Sequence, residues 1–538
     1  MEIRKLLVAN RGEIAVRIFR ACADQGIATV AVVAPDDRDS LHARRAGEVV
    51  EIAGYLYSEE HIRAAREAGA DAIHPGYGFL AENADFAEAV EAAGLVFVGP
   101  TPEALRRGGD KLEAKRAAAD AGVPVLPTGE PEEIGFPLII KAAAGGGGRG
   151  VRIVRGPAEL EDAVAAARRE AKAAFGDATV FFERYLERPR HVEIQLLADG
   201  HGHVYSLGER ECSIQRRHQK VLEEAPSPAV DPGLREQMSA AALAFAHAIG
   251  YRSLGTVEFL LDGSDFFFLE LNGRIQVEHP VTEEAIGLDL VALQLAVARG
   301  DPIDDPHASF QRNAVEVRLY AEDPLDFLPQ TGRIERLRLP GSIRIDAGDE
   351  EGDEVGVAYD PMIAKLIASG ESRAEALDRL AEALAQTEIE GVTTNLPFLR
   401  WLVSHPAVRD GRTTTAFLTD YPPLSARPVR LPSGPWATPF RLNRPPPAPA
   451  APPNPDATFH AQRQAGEQSS LTSPMPGTVI RVAVAEGDRV EARQPLVVLE
   501  AMKMETPIVA PYEAVVRTIH VAEGDRVAGG AVLVELED

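Results

Sequence analysis

Glu258 and Glu270 are spaced to share a cation. In TVEFLLDGSDFFFLELNGR, residues 256–274, two apolar runs flank a Gly-Ser turn. A hairpin centred on residue 264 sets Glu258 opposite Glu270, with Leu260 and Phe268 on the same face. Directly opposed side chains lie about 5 Å apart, where two ionised carboxylates repel unless a cation sits between them. Oxygen ligands at that separation suit Mg2+, which also bridges the phosphates of ATP. A one-residue change of register would instead leave ordinary solvated acids, which the apolar neighbours on that face oppose.

Three further stretches carry chemistry. LIIKAAAGGGGRGV, residues 138–151, runs an apolar strand into Lys141, four glycines and Arg149. Such a backbone folds closely over phosphate oxygens while two cations offset their charge. It lacks the GxxxxGK[ST] pattern of a P-loop and, alone, equally suits a surface loop. GRIQVEHPVTE alternates Arg274, Gln276 and Glu278 with Ile275 and Val277, so an extended backbone projects an anion site and a base from one face. AVEVRLYAEDP sets Val315, Val317 and Leu319 inward and Glu316, Arg318 and Tyr320 on the other side. Each alternation alone also fits a salt-bridged strand surface. Finally, VLEAMKMETPIVAP places Lys503 between two of the chain's six methionines. An isolated turn lysine is usually just solvated, but exposed Met502 and Met504 add polarizable surface suited to recognition.

The elements that must position these groups are legible in outline. AEGDRV occurs at 485–490 and again at 522–527, a shift of 37 residues. It aligns Val479 with Val516, Val484 with Val521, Leu496 with Leu533 and Leu499 with Leu536, so two similar halves build one small β domain with Lys503 where they join. Before it, RPPPAPAAPPNPD at 444–456 is a linker, and with the polar stretch to Ser470 it reaches about 50 Å. A length of 538 residues allows three or four domains, and a net charge of −26 disfavours nucleic acid and anionic membrane as partners. Cys22 and Cys212 lack disulfide or zinc spacing and fit a reducing cytoplasm, and no stretch has the apolar length of a membrane span.

EAMKM, preceded by PMPG at 474–477, resembles the biotin-attachment domain of biotin-dependent carboxylases, with Lys503 at the biotinylated position. Lipoyl domains share the fold and the lysine but usually lack the paired methionines. Residues 1 to about 445 resemble biotin carboxylase, an ATP-grasp enzyme. The likeness is carried by LVANRGEIAVRI, HPGYGFLAENADFA, GDKLEAK, IIKAAAGGGGRG, RHVEIQ, ECSIQRRHQKVLEEAPSP, RIQVEHPVTE and YDPMIAKLI. The implied fold is multidomain α/β: an N-terminal α/β domain at 1–112 and an ATP-grasp part at 113–200 with a lid near 130–185. The rest of the carboxylase follows at 201–444, then the linker at 445–470 and a flattened all-β barrel of biotinyl type at 471–538.

By that resemblance Lys111, Lys141, Gly146, Gly147 and Gly148 hold ATP phosphates, Glu183 and Leu186 the adenine, and His191, Gln215 and His218 the ribose or phosphates. Glu258, Glu270 and Asn272 hold Mg2+ or Mn2+. Lys220, Arg274, Gln276 and Val277 bind bicarbonate, Glu278 is the base, and Arg318 stabilises the biotin anion. Gly273 stands where the family usually has Thr or Pro, and Val317 where it has Cys. The implied chemistry begins when Glu278 deprotonates bicarbonate, which attacks the γ-phosphate of ATP to give carboxyphosphate. CO2 is released from it, and biotin, its N1 proton passed to phosphate, attacks that CO2.

Two other classes share parts of this pattern. An ATP-grasp amide ligase would have no use for a biotin domain, and an inactive carrier would show losses among Lys220, Arg274, Glu278 and Arg318, which are all present. The resemblance further implies a biotin ligase as partner and a dimer or larger hetero-oligomer. With no domain between residue 445 and the biotin unit, it points to a carboxyltransferase on another polypeptide. That partner would bind an acyl-CoA such as acetyl- or propionyl-CoA, or pyruvate in the two-subunit type of pyruvate carboxylase.

Overall fold

The computed structural model describes residues 2–143, 151–175, 177–216, 219–306, 308–325, 327–421, 470–475, 477–491, 494–501 and 504–537. Gly146, Gly147, Gly148, His218, the linker up to residue 469 and Lys503 lie outside the described residues.

The N-terminal part alternates strand and helix. Its five strands are parallel, in the order Glu48–Glu51, Ala28–Val33, Lys5–Val8, Ala72–His74, Val96–Phe97. The central strand is apolar at every turn of the pleat because helices cover both faces, and Leu6, Leu7 and Val8 are all fully buried. The helix Gly12–Asp24 that follows carries Glu13 into the interior.

An antiparallel sheet of eight strands supports the site. Its order is Asp265–Asn272, Ser253–Asp262, Arg190–Ala198, Val204–Arg216, Gln219–Ala225, Asn313–Tyr320, Met362–Gly370, Arg344–Ala347. The helix Pro232–Ile249 packs on it through Leu234, Met238, Ala242, Phe245 and Ile249, a spacing of three and four that makes one apolar stripe. Asp231 caps this helix by accepting the Leu234 amide at 2.9 Å, and Gly250 ends it at φ 65°.

The hairpin differs from expectation in one detail. It turns between Gly263 and Ser264, pairing Asp262 with Asp265 and Leu260 with Phe267 rather than placing Leu260 with Phe268. A bulge between Glu258 and Phe259 then takes up one residue, so Glu258 does face Glu270. The strand Asn313–Tyr320 is buried on both faces because it lies inside the sheet: Glu316, Arg318 and Tyr320 are as inaccessible as Val315, Val317 and Leu319. Its charged side is interior, not a solvated surface.

Leu138–Ala142 pairs with Arg152–Val154 and Val180–Arg184 in a separate three-stranded sheet. With the helix Pro157–Phe175 it has its own small core of Ile134, Leu138, Ile140, Val154 and Ala167.

The C-terminal domain consists of two four-stranded sheets. One runs Ser470–Thr472, Val532–Glu537, Ala514–Ile519, Arg489–Val490, the other Met504–Val509, Pro495–Ala501, Gly477–Val482, Arg526–Val527. The repeat maps strand on strand, Gly477–Val482 onto Ala514–Ile519 and Arg489–Val490 onto Arg526–Val527. Val479, Val516, Leu496, Leu533, Leu499 and Leu536 share one buried core. Lys503 falls in sequence between Pro495–Ala501 and Met504–Val509, which pair as far as Ala501 with Met504. No helix among the described residues is long and apolar enough to cross a membrane.

Candidate active site

Three strands and a helix start meet at one ammonium. Lys220 Nζ donates to Glu193 Oε2 at 2.6 Å, Glu258 Oε1 at 2.8 Å and Glu278 Oε1 at 2.6 Å. All three acids are buried. Burial of that many carboxylates holds only where cations interleave. Arg210, fully buried, supplies a second: it donates to Glu193 Oε1 at 2.6 Å, Gln195 at 2.7 Å and Thr282 at 3.0 Å. Glu258 also accepts from Asn272 Nδ2 at 2.9 Å and lies 2.9 Å from His191 Nε2.

Residues 274–278 are not the extended strand that their alternation suggests. The chain leaves the sheet after Asn272, bends, and turns through Val277 into Glu278, the cap of the helix His279–Ile286. Pro280 in the first turn favours a helix start there. The bend, rather than a pleat, makes the side chains converge. Arg274 donates to Gln276 Oε1 at 3.1 Å and Asn272 Oδ1 at 2.9 Å, while Glu278 accepts from Arg318 Nη2 at 3.0 Å as well as from Lys220. Glu82 of the N-terminal part pins the bend, accepting the Gly273 amide at 3.1 Å and lying 3.4 Å from Arg274 Nε. A Cβ on residue 273 would stand 2.9 Å from Leu105 Cδ2, the movable end of a side chain. Val317 is fully buried and pairs with Leu366 in the apolar core.

The charges set distinct proton affinities. Burial raises the Glu278 carboxyl, but Lys220, Arg318 and Arg210 outweigh it and hold the group below the usual carboxylate range. Glu258 is held well below that range, burial being overcome by Lys220 and His191. Glu270 goes the other way, pushed up by burial and then by the charge of Glu258. His191 is raised: burial lowers it, and Glu258 more than offsets that. Glu223, 2.5 Å from Arg318 Nη2, is pushed up to about 7 by burial despite that guanidinium.

The buried Glu258 carboxylate, the half-buried Glu270 carboxylate opposite it and an amide oxygen make the donor set of a hard divalent cation. Glu258, Glu270 and Asn272 therefore fit Mg2+. His191, Glu193 and Glu258 also bring donor atoms within 4.8 Å of one another. The Glu258 charge beside His191 raises its affinity for a proton, which favours a pairing role over a ligand role there.

Among the residues expected to meet the nucleotide, Lys141 Nζ lies 2.5 Å from Glu183 Oε1, and nearby Lys115 pairs with the other oxygen of the same carboxylate. Burial lowers the proton affinity of Lys111, and the charge of Glu270 opposes that most strongly. Gln215 bonds His191 Nδ1 at 2.5 Å, and Leu186 is half-buried just beyond the strand Val180–Arg184. Sequence reasoning missed Lys115, Glu193, Arg210, Glu223 and Glu82. Lys115 was within reach, one helical turn after Lys111, and so was Glu193, which alternates with His191 and Gln195 in RHVEIQ. Arg210 faces Glu193 across two consecutive strands, also a local relationship, whereas Glu223 gave no signal, since only the pairing of its strand with Asn313–Tyr320 brings it to Arg318.

Four segments match known families: 2–105 the biotin carboxylase N-terminal domain, 110–305 the ATP binding domain of carbamoyl-phosphate synthase L chain, 316–420 the biotin carboxylase C-terminal domain, and 469–536 the biotin-requiring enzyme family. The chain is 48% identical over 441 residues to the biotin carboxylase of Halalkalibacterium halodurans, covering 78% of this chain and 98% of that one. It belongs to the biotin carboxylase family. It is also 46% identical to the mitochondrial methylcrotonoyl-CoA carboxylase subunit alpha of Glycine max, covering 78% of this chain and 61% of that one. Among solved structures, the biotin carboxylase domain of the Hydrogenobacter thermophilus 2-oxoglutarate carboxylase, in complex with MgADP, ADP and bicarbonate, superposes with a TM-score of 0.76. The two are 41% identical over 78% of this chain and 98% of that one. The protein is thus a ligase-type biotin carboxylase fused to a biotin carrier domain, and biotin, ATP and Mg2+ are its cofactors and co-substrate.

Proposed function

We propose that this chain carboxylates biotin carried on its own Lys503 and passes the carboxyl group to a carboxyltransferase that acts on an acyl-CoA. The observation that carries the carboxylation chemistry is the meeting of Lys220, Glu278 and Arg318 in one buried cluster beside Arg274 and Gln276. Arg274, Gln276, Lys220 and the backbone at Val277 orient bicarbonate, and Glu278, kept ionised by its cations, takes up its proton. Its proton affinity rises once Lys220 is drawn to the incoming anion. Lys111, Lys115 and Lys141 meet the nucleotide phosphates, and Arg318 stabilises negative charge on biotin. Mg2+ held by Glu258, Glu270 and Asn272 would neutralise phosphate charge. A lid near residues 130–185 keeps water from the reacting groups.

The likeness to a methylcrotonoyl-CoA carboxylase alpha subunit favours an acyl-CoA acceptor, with a two-subunit pyruvate carboxylase as the second reading. The same likeness to an alpha subunit favours a carboxyltransferase on a partner subunit. Two unpaired, buried cysteines suit a cytoplasmic site of action. The test is ATP hydrolysis with free biotin: it should require bicarbonate, rise with biotin, and fall by about 10² in Glu278→Ala while calorimetric ATP affinity persists. Hydrolysis indifferent to bicarbonate would refute the assignment. Copurified partner, assayed with acetyl-CoA, propionyl-CoA, methylcrotonoyl-CoA and pyruvate, identifies the acceptor.

A further inference from the structure

Lys365 lies fully buried on the strand Met362–Gly370, outside every role given above. Its Nζ donates to the Val277 carbonyl at 2.7 Å and stands 3.1 Å from Glu13 Oε1. Glu13 also accepts from the Tyr77 hydroxyl. Three matched segments meet here: Glu13 and Tyr77 come from 2–105, Val277 from 110–305 and Lys365 from 316–420. Desolvating an ammonium costs several kcal/mol, and an apolar side chain of similar length would fill the space without that cost. What the ammonium adds is direction at the Val277 carbonyl.

That carbonyl shares a rigid plane with the amide N–H of Glu278, so holding one sets the other. Lys365 also faces Arg318 directly across the strand pair, and Arg318 Nη2 holds the Glu278 carboxylate at 3.0 Å. Two neighbouring positions in the sheet therefore grip the same peptide, Lys365 by its backbone and Arg318 by its side chain. We propose that Lys365, anchored on Glu13, is a positioning residue for carboxylation: it sets the Val277–Glu278 peptide against which bicarbonate is aligned. The inference rests on the reading of residues 274–278 as the bicarbonate site.

The test compares full-length wild type, Lys365→Met, Glu13→Gln, their double variant and Gln276→Ala in biotin-dependent ATP hydrolysis, with bicarbonate and ATP varied separately. Lys365→Met should raise the KM for bicarbonate about tenfold or more, as a misplaced reacting group does, with the KM for ATP within about twofold. Glu13→Gln should shift the same constant less, and the double variant should be no worse than Lys365→Met alone, since both act through one contact. Gln276→Ala reports on the site itself, and an unchanged bicarbonate KM there overturns the bicarbonate reading and the inference with it. If Gln276→Ala responds while Lys365→Met does not, or if Lys365→Met raises both KM values alike, the positioning role alone is wrong. Should Lys365→Met fail to fold, Glu13→Gln decides, because it removes a charge without changing volume: an unchanged bicarbonate KM overturns the proposal.

Discussion

Lys220 neutralises the proposed base and a proposed metal ligand at once, lying 2.6 Å from Glu278 and 2.8 Å from Glu258. Removing it leaves buried acids facing each other. Loss of one partner from a buried ion pair costs about 3–5 kcal/mol, and Lys220→Met should lower the urea midpoint accordingly while reducing kcat by about 10² or more. Adding Glu193→Gln should recover part of the stability and none of the activity. Full activity in Lys220→Met would remove this residue from the reaction.

Glu258→Gln and Glu270→Gln should each weaken the use of Mg·ATP while preserving the fold, because each takes one charged oxygen donor from the opposed pair. The readout is the Mg2+ concentration that gives half-maximal ATP hydrolysis. Unchanged values in both variants would place the metal elsewhere.

Glu223 gives a pH signature. With its folded carboxyl pushed up from 4.5 to about 7, the folded protein keeps a proton between those values that the unfolded chain has released. Stability from this group is thus present below pH 4.5 and lost as pH rises to 7. Glu223→Gln removes the liability, so its urea midpoint relative to wild type should be more favourable at pH 8 than at pH 5. It should also lower carboxylation, since Arg318 loses a neighbour that helps aim it. An equal offset at both pH values would contradict the raised carboxyl.

Lys503→Arg keeps the positive charge but offers a poor nucleophile for amide formation. Intact-mass analysis should show one biotinyl group on wild type and none on the variant, which should still carboxylate free biotin yet fail in a coupled assay with a carboxyltransferase. Biotin on another lysine would end the assignment.

What could be seen beforehand follows from how far each relationship reaches along the chain. The carrier's repeat was visible because both halves carry the same short string, and strand pairing respects it. Glu258 against Glu270 was legible because a hairpin is local, although a turn one position off and a compensating bulge together restored the expected pair. Alternation at 274–278 pointed to residues whose side chains do converge but to the wrong backbone: polar spacing of two is shared by a strand and by a bend leading to a helix cap. Glu223 was invisible because it meets Arg318 only through the pairing of its strand with the distant Asn313–Tyr320.

The same strand order has a consequence for biosynthesis. Glu13 belongs to the first helix of the chain, Lys220 and Glu278 to its middle, and Arg318 and Lys365 to strands that enter the sheet only after residue 313. Contacts between such distant positions form late, since each must first close a long loop. As the chain emerges from the ribosome, its N-terminal sheet and the lysines proposed to meet phosphate are complete before the groups that hold Glu278 exist. A carboxylase half cut short before residue 362 therefore contains the residues proposed for ATP but lacks the last strands that close its chemistry.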